Sequence, residues 1–362
     1  MNFKEFDDLI HSGSKEIVLD TDVILSNEEE SEYLEGIMLD ADGLVIDGNG
    51  HEIDARSKAR IFNCIAKDVL IKNIALKNGF NKNFGGAILN NGELTVAQSS
   101  FIKNYAHCGG AIDSYGNLTI TESKFSENSA FEDGGAIELR QDNTILEKGN
   151  LFIAKCTFTA NKAECDGGAV SCYLGGDMII KESSFYKNIA ESEGGAISEF
   201  QGRKVTIDDC KIISNEAKDK GGAIGNYYGP RSEMIIRNSI LNENSSCCGG
   251  AIVNTGHLSV SDSKLSSSKA HMMGGAIYNS GTLIVSDSKL SSNKAQEMGG
   301  AIYLHENTVR LIISDSEFAA NESADGGGAI AYCNEEDVTL NNCIFKDNDP
   351  NDVEEYSADD DY

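Results

Sequence analysis

The chain has 362 residues, of which 58 are Asp or Glu and 30 are Lys or Arg, so its formal net charge is −28. A nucleic-acid partner and an anionic membrane are both disfavoured, because their phosphates would repel the protein. The 37 glycines are not spaced at every third residue, which excludes collagen. Hydrophobic residues make up 40% of the chain and recur in regular columns, which argues against disorder.

The first residues differ in pattern from the rest of the chain. Residues 3–10 (FKEFDDLI) are typical of a short amphipathic helix, and the open end of a stacked repeat structure has to be covered. We therefore predict an N-terminal cap over residues 1–20. This segment is acidic and lacks the apolar core of a signal peptide. No apolar run approaches the roughly 20 residues that span a bilayer, so no membrane span is predicted.

Residues 21–84 are related to the following repeats but are less regular, and we predict them to form degenerate opening coils. Within them, Asp47-Gly48-Asn49-Gly50 has the composition of a tight turn between two strand segments. The carboxylate of Asp47 is accordingly interpreted as a turn former.

A tetrapeptide repeat organises the rest of the chain. Gly-Gly-Ala-Ile, once with Val in the last place, occurs ten times at intervals of 24 to 33 residues. The first glycines are Gly85, Gly109, Gly134, Gly167, Gly194, Gly221, Gly249, Gly274, Gly299 and Gly327. A period of this length with no helical stretch indicates a stack of similar coils.

A second pattern lies between the glycine pairs. An aromatic or aliphatic residue is followed three positions later by Asn, as in Phe101 and Asn104, with one exception, at Leu265 and Ser268. Aliphatic residues stand seven and five positions before the first member, and Ser or Cys stands two positions before it. The spacing of two is strand periodicity, so the sequence predicts an all-β parallel solenoid of about a dozen coils.

The predicted organisation is one continuous domain. The cap and opening coils lead into regular repeats over residues 85–348, followed by an acidic tail, residues 349–362, that should be solvated and loosely held. We expect the Asn column to form a ladder at a turn, because Asn tolerates left-handed backbone angles and can bond the amides of its neighbours. The glycine pair should form a tight corner.

The alternation of GGA[IV] with FxxN resembles the repeats of the polymorphic outer-membrane protein family. That family comprises surface-exposed adhesins whose passenger regions are right-handed parallel β-helices. The segment IDGNGHEIDA…RIF…VLIKNIALKNG also looks like the opening coils of adhesin-like and pectate-lyase-like β-helix proteins. The resemblance implies a single-stranded right-handed parallel β-helix and a location at the cell surface or outside the cell. The absence of a signal sequence makes the cytoplasm the alternative location.

The ten cysteines are interpreted mainly as small buried residues. Cys156, Cys210 and Cys343 occupy the column that elsewhere holds Ser, so disulfides are not expected of them. A different group precedes three consecutive glycine pairs: Cys247-Cys248, then His271-Met272-Met273, then Met298. Thiolate and thioether suit a soft metal, but packing of an irregular corner is the favoured interpretation. Ca²⁺ at acidic turns is left open.

No catalytic residues, cofactor or metal site are predicted from the sequence. Acidic residues are plentiful, but few of them occupy matching places in adjacent coils, and basic partners are scarce. The histidines are dispersed, and the glycine pairs lack the strand-to-helix context of nucleotide-binding motifs. A pectate-lyase-like enzyme acting on carbohydrate is therefore the second hypothesis, and an intracellular binding scaffold is the third.

The leading hypothesis is a non-enzymatic, adhesin-like protein that binds a glycan or protein of another cell or matrix through its exposed faces and loops. All recurring residues serve the scaffold, which leaves outward positions free to vary. The loop NYYGPRSE (226–233) offers aromatic and cationic contacts, so Tyr227, Tyr228 and Arg231 are the predicted ligand-binding residues.

Overall fold

The computed structural model describes residues 1–141, 148–227, 233–334 and 338–357. The chain divides into two compact units, residues 1–179 and 180–362. Each unit is built from short strands that recur in the same order along the chain. No helix in the described part of the chain has the length and apolarity needed to cross a membrane.

The helix Phe3–Ile10 begins the first unit, as the sequence predicts. Asn2 Oδ1 accepts a hydrogen bond from the Glu5 amide at 2.8 Å, and Glu5 Oε2 accepts one from the Asn2 amide at 3.0 Å. This reciprocal capping box satisfies two amides that have no partner within the helix. Phe3, Phe6 and Ile10 are buried, so the apolar face of the helix packs on the opening coils.

A regular coil contributes one strand to each of four parallel sheets. In one example, Glu93–Ala97 lies in the first sheet, Ser100–Ile102 in the second and Tyr105–Cys108 in the third. A glycine pair then precedes Ile112–Ser114 in the fourth sheet. The part that one coil contributes to a sheet, or to the bend between two sheets, is called a rung.

In the first unit, the strands of the first sheet are Glu16–Val18, Val45–Asp47, Val69–Lys72, Glu93–Ala97, Asn117–Thr121 and Leu151–Ala154. Those of the second sheet are Val23–Ile24, Glu52–Asp54, Ala75–Lys77, Ser100–Ile102, Lys124–Ser126 and Thr157–Thr159. Those of the third are Phe80–Phe84, Tyr105–Cys108, Ser129–Ala130 and Lys162–Ala163. Those of the fourth are Ile37–Leu39, Phe62–Cys64, Ile88–Asn90, Ile112–Ser114, Ile137–Arg140 and Val170–Tyr173. The strand Met178–Lys181 contains the division between the units.

In the second unit, the strands of the first sheet are Lys204–Asp208, Glu233–Arg237, His257–Ser261, Thr282–Ser286, Arg310–Ser314 and Val338–Asn341. Those of the second sheet are Ser184–Tyr186, Lys211–Ile213, Ile240–Asn242, Lys264–Ser266, Lys289–Ser291, Glu317–Ala319 and Ile344–Lys346. Those of the third are Ile189–Ala190, Glu216–Ala217, Ser245–Ser246, Lys269–Ala270 and Lys294–Ala295. Those of the fourth are Ile197–Phe200, Ile224–Tyr227, Ile252–Asn254, Ile277–Asn279, Ile302–Leu304, Ile330–Tyr332 and Val353–Glu355.

Equivalent residues of successive coils stand in register. In the first unit Leu94 pairs with Leu118, and Phe101 pairs with Phe125. The Phe101 and Phe125 rings stack with centroids 4.6 Å apart. A shared core of this kind buries apolar faces that no single coil could bury. The predicted right-handed parallel β-solenoid of about a dozen coils is confirmed.

The Asn column forms the predicted ladder of buried side chains. Asn104 Nδ2 donates to Asn128 Oδ1 at 2.9 Å, and Asn128 Nδ2 donates to Asn161 Oδ1 at 2.9 Å. Bonding of neighbouring amides is confirmed, since the Asn104 amide donates to Asn128 Oδ1 at 3.0 Å. The other reason given for the ladder is wrong, because the left-handed backbone angle belongs to the residue before the Asn. Lys103 has φ of 55° and Glu127 also has φ of 55°. The Asn side chain instead pairs with backbone and side chain of neighbouring coils, which fixes the turn from inside.

The glycine corner is confirmed and also accounts for the invariable Ala. Gly109 has φ of 58°, and a Cβ there would collide with the Ile112 carbonyl. Ala111 is fully buried, and its carbonyl accepts the amides of Ala87 and Ile88, both at 2.9 Å. A larger side chain at this position would have to fit inside a corner already filled by backbone.

All ten cysteines are free thiols, as the column argument predicts for three of them. Cys156 replaces the column serine in its hydrogen bonds: its Sγ lies 3.5 Å from the Ser123 amide and 3.2 Å from the Ala154 carbonyl. The turn at Asp47 is also confirmed, since the Asn49 amide donates to Asp47 Oδ1 at 2.8 Å.

The prediction of a loosely held acidic tail is wrong for its described part. Val353–Glu355 is a strand that pairs in parallel with Ile330–Tyr332. Tyr356 is buried, and its hydroxyl donates to the Leu304 carbonyl at 2.7 Å. The ring of Tyr356 stacks on that of Tyr303, with centroids 5.3 Å apart. The prediction considered only the charge of the tail and overlooked this tyrosine.

Candidate functional site

A groove follows the outer side of the bend between the first and second sheets of the second unit. It has a volume of about 670 Å³ and extends over five rungs. Its lining residues are Asn238, Ser239, Ile240, Asp262, Ser263, Lys264, Asp287, Ser288, Lys289, Asp315, Ser316, Glu317, Asn342 and Ile344. A second cavity of about 540 Å³ shares Asn238 with it and continues along the same bend.

The floor of the groove is a ladder of buried serines. Ser263 Oγ donates to the Ser261 carbonyl at 2.6 Å and accepts the Ser239 amide at 3.1 Å. Ser288 is bonded in the same way, accepting the Ser263 amide at 3.1 Å. The hydrogen bonds of these hydroxyls are therefore made within the protein. A ligand would contact the side chains on either side of the serines.

One wall consists of Asp and Asn residues in the left-handed backbone region. Asp262 and Asp287 have φ of 47°, and Asp315 has φ of 49°. Asp and Asn adopt this region more readily than most residues. The equivalent bend of the first unit holds Glu122 and Lys155, with φ of 50° and 57°. Glu and Lys adopt the same backbone angle in the first unit. The angle alone therefore does not explain why Asp recurs at this position in the second unit.

The other wall carries charged side chains of both signs. Lys289 Nζ lies 3.1 Å from Glu317 Oε1, and Lys346 Nζ lies 3.6 Å from the same oxygen. The hydrogen bond from Lys289 lowers the pKa of Glu317. In the adjoining cavity, hydrogen bonds from Asn238 and Arg237 lower the pKa of Asp208. Both carboxyl groups are thus held ionised, which suits binding better than proton donation.

A different arrangement, a buried charge cluster, lies in the first unit. Asp113 and Glu138 are register partners in the fourth sheet, and both are enclosed. Arg140 Nη2 lies 3.1 Å from Asp113 Oδ2, and its guanidinium stands 4.4 Å from the centre of the Phe84 ring. Burial raises the pKa of Asp113 to about 7 and raises the pKa of Glu138 well above its ordinary value.

The enclosure of this cluster limits what it can do. Asp113 is 0% exposed and Glu138 is 1% exposed, so neither carboxyl group can touch a polymer. Arg60, which is 2% exposed, donates Nη2 to the Phe84 carbonyl at 2.8 Å and Nε to the Gly85 carbonyl at 3.0 Å. Arg60 therefore binds the backbone carbonyls at the glycine corner.

Among the described residues, one group of three side chains has metal-ligand types close together. His107, Cys108 and Glu132 offer a ring nitrogen, a thiol and a carboxylate oxygen within 4.8 Å of one another. They occupy the two positions before a glycine pair in successive coils. The same positions in the second unit hold Cys247 and Cys248, at which the sequence suggested a soft metal.

The backbones at Cys247-Cys248 and Met272-Met273 lie next to each other in successive coils. The Met272 amide donates to the Cys247 carbonyl at 2.8 Å, and the Gly249 amide donates to the Met273 carbonyl at 2.9 Å. Met273 packs against the buried cluster around Tyr303. This contact supports the packing interpretation for Met273, while metal binding by the group stays a prediction.

The predicted ligand-binding residues are placed only in part. Tyr227 ends the strand Ile224–Tyr227 and is half-buried, with its ring centroid 6.5 Å from that of Phe200. Its side chain interacts with Glu193, and its ring lies over Gly225. Tyr228 and Arg231 lie outside the described residues, so the role of this loop stays a prediction.

The groove was missed by the sequence reasoning, although a signal exists. Three positions before the aliphatic or aromatic column, the second unit carries a run of acidic residues and their amides. The run comprises Asp209, Asn238, Asp262, Asp287, Asp315 and Asn342. The register of the strands shows that these positions stand one above another at the bend.

Comparison with known proteins matches one segment of the chain to a sequence family. Residues 155–173 match the repeat of the Chlamydia polymorphic membrane proteins. No curated protein sequence matches the chain.

Solved structures similar to this one are β-helical proteins of low sequence identity. A PL6 alginate lyase in complex with a trisaccharide has a TM-score of 0.56 at 11% identity, covering 98% of this chain and 85% of the lyase. The alginate lyase AlyF-OU02 has a TM-score of 0.44 at 9% identity, with 98% and 85% covered. The periplasmic alginate epimerase AlgG has a TM-score of 0.41 at 13% identity, with 95% and 83% covered.

At these identities the similarity concerns the fold alone. The glycine pairs, the ladders and the matched segment agree with one another, since Lys155–Tyr173 includes the phenylalanine, asparagine and glycine pair of a single repeat. The chain is a right-handed parallel β-helix protein, in which residues 155–173 match the repeat of the polymorphic membrane proteins.

Proposed function

We propose that this chain is a non-enzymatic, adhesin-like protein that binds a linear glycan along the groove of its second unit. The observation that carries the proposal is the recurrence of one triplet at the bend. Asp262-Ser263-Lys264 and Asp287-Ser288-Lys289 occupy neighbouring rungs, and Asp315-Ser316-Glu317 follows them. A polymer of equivalent sugars can meet the same Asp, Ser and Lys at two neighbouring rungs, and the same Asp and Ser at the third.

Repetition also distinguishes binding from catalysis. A reaction centre needs one set of groups placed differently from all others, whereas two neighbouring rungs carry the same Asp-Ser-Lys triplet and the rungs beside them differ from it at one or two positions. Each Asp offers hydrogen-bond acceptors and each Lys offers donors, so sugar hydroxyls find both kinds of partner. Because neighbouring rungs are about 4.8 Å apart, several sugars of one chain can be held together.

The charge of the groove restricts the class of glycan. Four carboxylates, from Asp262, Asp287, Asp315 and Glu317, face two ammonium groups, from Lys264 and Lys289. The whole chain has a net charge of −28. A polyuronate would be repelled by both, so a neutral or cationic linear glycan fits better.

The experiment is retention of the protein by immobilised linear glycans. Xylan and mannan serve as neutral probes, chitosan as a cationic probe and alginate as an anionic one. We expect retention by a neutral or cationic probe and none by alginate. The double variant Asp287→Ala/Lys289→Ala should weaken binding about thirtyfold or more, since it removes two charge-assisted hydrogen bonds of about 1 kcal/mol or more each.

A matched control exists in the first unit. Glu122-Ser123-Lys124 is an isolated triplet of the same type on the equivalent bend. Glu122→Ala/Lys124→Ala should leave retention unchanged. Equal loss in both double variants, or retention by alginate alone, would contradict the proposal.

A cell-surface or extracellular location forms part of the proposal. Its support is the name of the matched repeat, which belongs to membrane proteins of Chlamydia. Protease treatment of intact source cells should release peptides of the chain before lysis. Protection until lysis would instead favour an intracellular binding scaffold.

A polysaccharide-modifying enzyme is the second candidate, and one carboxyl group favours it. Asp133 is half-buried beside Glu132, and burial raises its pKa to about 6, within the range of a general acid. The fold shared with an alginate lyase adds to this case. Incubation with alginate should leave the polymer length unchanged if the chain only binds. Shortening that is lost in Asp133→Asn would establish the enzyme instead.

A further inference from the structure

The corner before the glycine pair at Gly109 brings together three side chains with different ligand atoms. His107 and Cys108 end the strand Tyr105–Cys108, and Glu132 lies one coil further on. The Glu132 amide donates to the His107 carbonyl at 2.7 Å, which ties the two coils together at this point. The pairing of this strand with Phe80–Phe84 shifts register between Ala106 and Cys108.

The distances from Glu132 Oε2 to the other two ligand atoms fit a tetrahedral metal site, and all three ligand atoms lie within 4.8 Å of one another. His107 Nε2 lies 3.2 Å from Glu132 Oε2, and Cys108 Sγ lies 3.6 Å from the same oxygen. Zinc bonds of about 2.0 to 2.3 Å at tetrahedral angles place ligand atoms roughly 3.3 to 3.8 Å apart. The three side chains therefore need little movement to share one ion.

The surroundings of the three side chains are charged and enclosed on one side. Glu138 is fully buried and interacts electrostatically with the Cys108 thiol, and its Oε2 has no hydrogen-bond partner in the described part of the chain. The Phe131 ring stacks on the His107 ring with centroids 5.3 Å apart, which fixes the imidazole. The Arg140 guanidinium also interacts with the Cys108 thiol, so this side of the cluster already contains a positive charge.

We propose that His107, Cys108 and Glu132 form a binding site for Zn²⁺ or a similar divalent transition-metal ion. Imidazole, thiolate and carboxylate are the ligand types that zinc takes in proteins. His107 and Glu132 are partly exposed, with 36% and 49% of their side-chain surface accessible, so water can complete the fourth position. The site lies in the first unit and does not depend on glycan binding by the second.

Cobalt titration of the reduced, chelator-treated full-length protein tests the site. Co²⁺ bound by one thiolate in a tetrahedral site gives a sulfur-to-metal charge-transfer band and strong visible bands that octahedral aqueous Co²⁺ lacks. We expect these bands to saturate at one equivalent and to disappear when Zn²⁺ is added. Competition with a chromophoric chelator then gives the Zn²⁺ affinity.

The variants identify the ligands. Cys108→Ser should abolish the charge-transfer band, and Glu132→Gln should weaken Zn²⁺ binding at least tenfold. Glu132 is exposed, so the second variant does not threaten the fold. Cys165→Ser and Cys247→Ser are controls, because they remove thiols from the column that holds His107 and Glu132 and should leave the band intact. Absence of the band in the unaltered protein, or its persistence in Cys108→Ser, would overturn the proposal.

Discussion

Each buried asparagine of the ladder joins three coils. Asn128 Oδ1 accepts the amide and the Nδ2 group of Asn104, at 3.0 and 2.9 Å. Its own Nδ2 donates to the Phe101 carbonyl at 3.0 Å and to Asn161 Oδ1 at 2.9 Å. A side chain that satisfies donors on both sides leaves several buried groups without partners when it is removed.

Asn128→Ala should therefore lower the free energy of unfolding by about 3 kcal/mol, because it orphans buried donors and an acceptor at once. Urea denaturation followed by circular dichroism measures the loss. The exposed Asn91 provides the control, and Asn91→Ala should change stability by less than about 0.5 kcal/mol. Equal effects of the two substitutions would show that the ladder contributes nothing specific.

Ser268 interrupts the ladder of the second unit. The Ser268 amide donates to Asn293 Oδ1 at 3.1 Å, so the position keeps the backbone geometry of its column. Ser268→Asn should restore the missing side-chain bond and raise stability by about 1 kcal/mol, as one added hydrogen bond does. A lower urea midpoint would mean that the fully buried site has no room for the longer side chain.

The buried acids of the first unit predict a pH dependence. The folded-state pKa of Asp113, about 7, is raised above its ordinary value of 3.8, so the folded protein binds more protons than the unfolded chain between these values. The stability contributed by this group is then fully present below pH 4 and is lost as pH rises through about 7. The loss amounts to at most about 4 kcal/mol, since one pKa unit corresponds to about 1.4 kcal/mol.

Asp113→Asn isolates that effect. The variant and the unaltered protein should differ least below pH 4, and the variant should gain relative stability as pH rises towards 8. Urea midpoints at three pH values measure the difference. Glu127→Gln, at an exposed position, should show no such trend. A difference that is constant with pH would mean that Asp113 stays ionised beside Arg140.

At the scale of single elements, the strand periodicity predicted the sheets well. Leu94 and Val96, from the two aliphatic columns, are the buried positions of Glu93–Ala97. When one face of a strand is covered, alternating apolar residues can be buried in only one register. The left-handed positions escaped prediction, since Lys103, Glu127 and Ala160 carry no local signal for positive φ. Those angles follow from the stacked coils and not from the residues themselves.

The C-terminal strand is the clearest element that composition concealed. Val353–Glu355 adds a rung to the fourth sheet of the second unit, and Tyr356 covers Tyr303. Tyr356→Ala should lower the free energy of unfolding of the second unit by about 3 kcal/mol, as other buried aromatic truncations do. Hydrogen exchange of Ile330–Tyr332 should accelerate in the same variant.

An exposed tyrosine of the same unit controls for the loss of an aromatic ring. Tyr186 is 41% exposed, so Tyr186→Ala should leave both the urea midpoint and the exchange rates nearly unchanged. Unaltered exchange in Tyr356→Ala would mean that the terminal strand is held by its backbone pairing alone.

At the scale of the whole molecule, the repeat determined how much could be predicted. Ten copies of one motif indicate which residues serve the scaffold, and the parallel β-helix follows from them. The candidate site could not be found in the same way. Its residues occupy columns whose residue type differs between the two units, and such variation is typical of surface positions that have no special role. Only the register revealed that Asp262, Asp287 and Asp315 form one wall.

The same holds for the metal site of the first unit. His107 and Glu132 are 25 positions apart and belong to a column that also holds Asn83 and Cys165. Sequence reasoning examined this column at Cys247, where two thiols are adjacent, and passed over its more diverse copies. A search for ligand types one repeat apart would have found both places.

The dependence of affinity on glycan length tests the central claim most directly. Dissociation constants would be measured for oligosaccharides of two to eight units prepared from the neutral or cationic probe that retains the protein. A groove that spans five rungs predicts that affinity rises with each added sugar up to about five units and then levels off. Affinity that is already complete with two sugars would contradict binding along the rungs and would indicate a single local pocket instead.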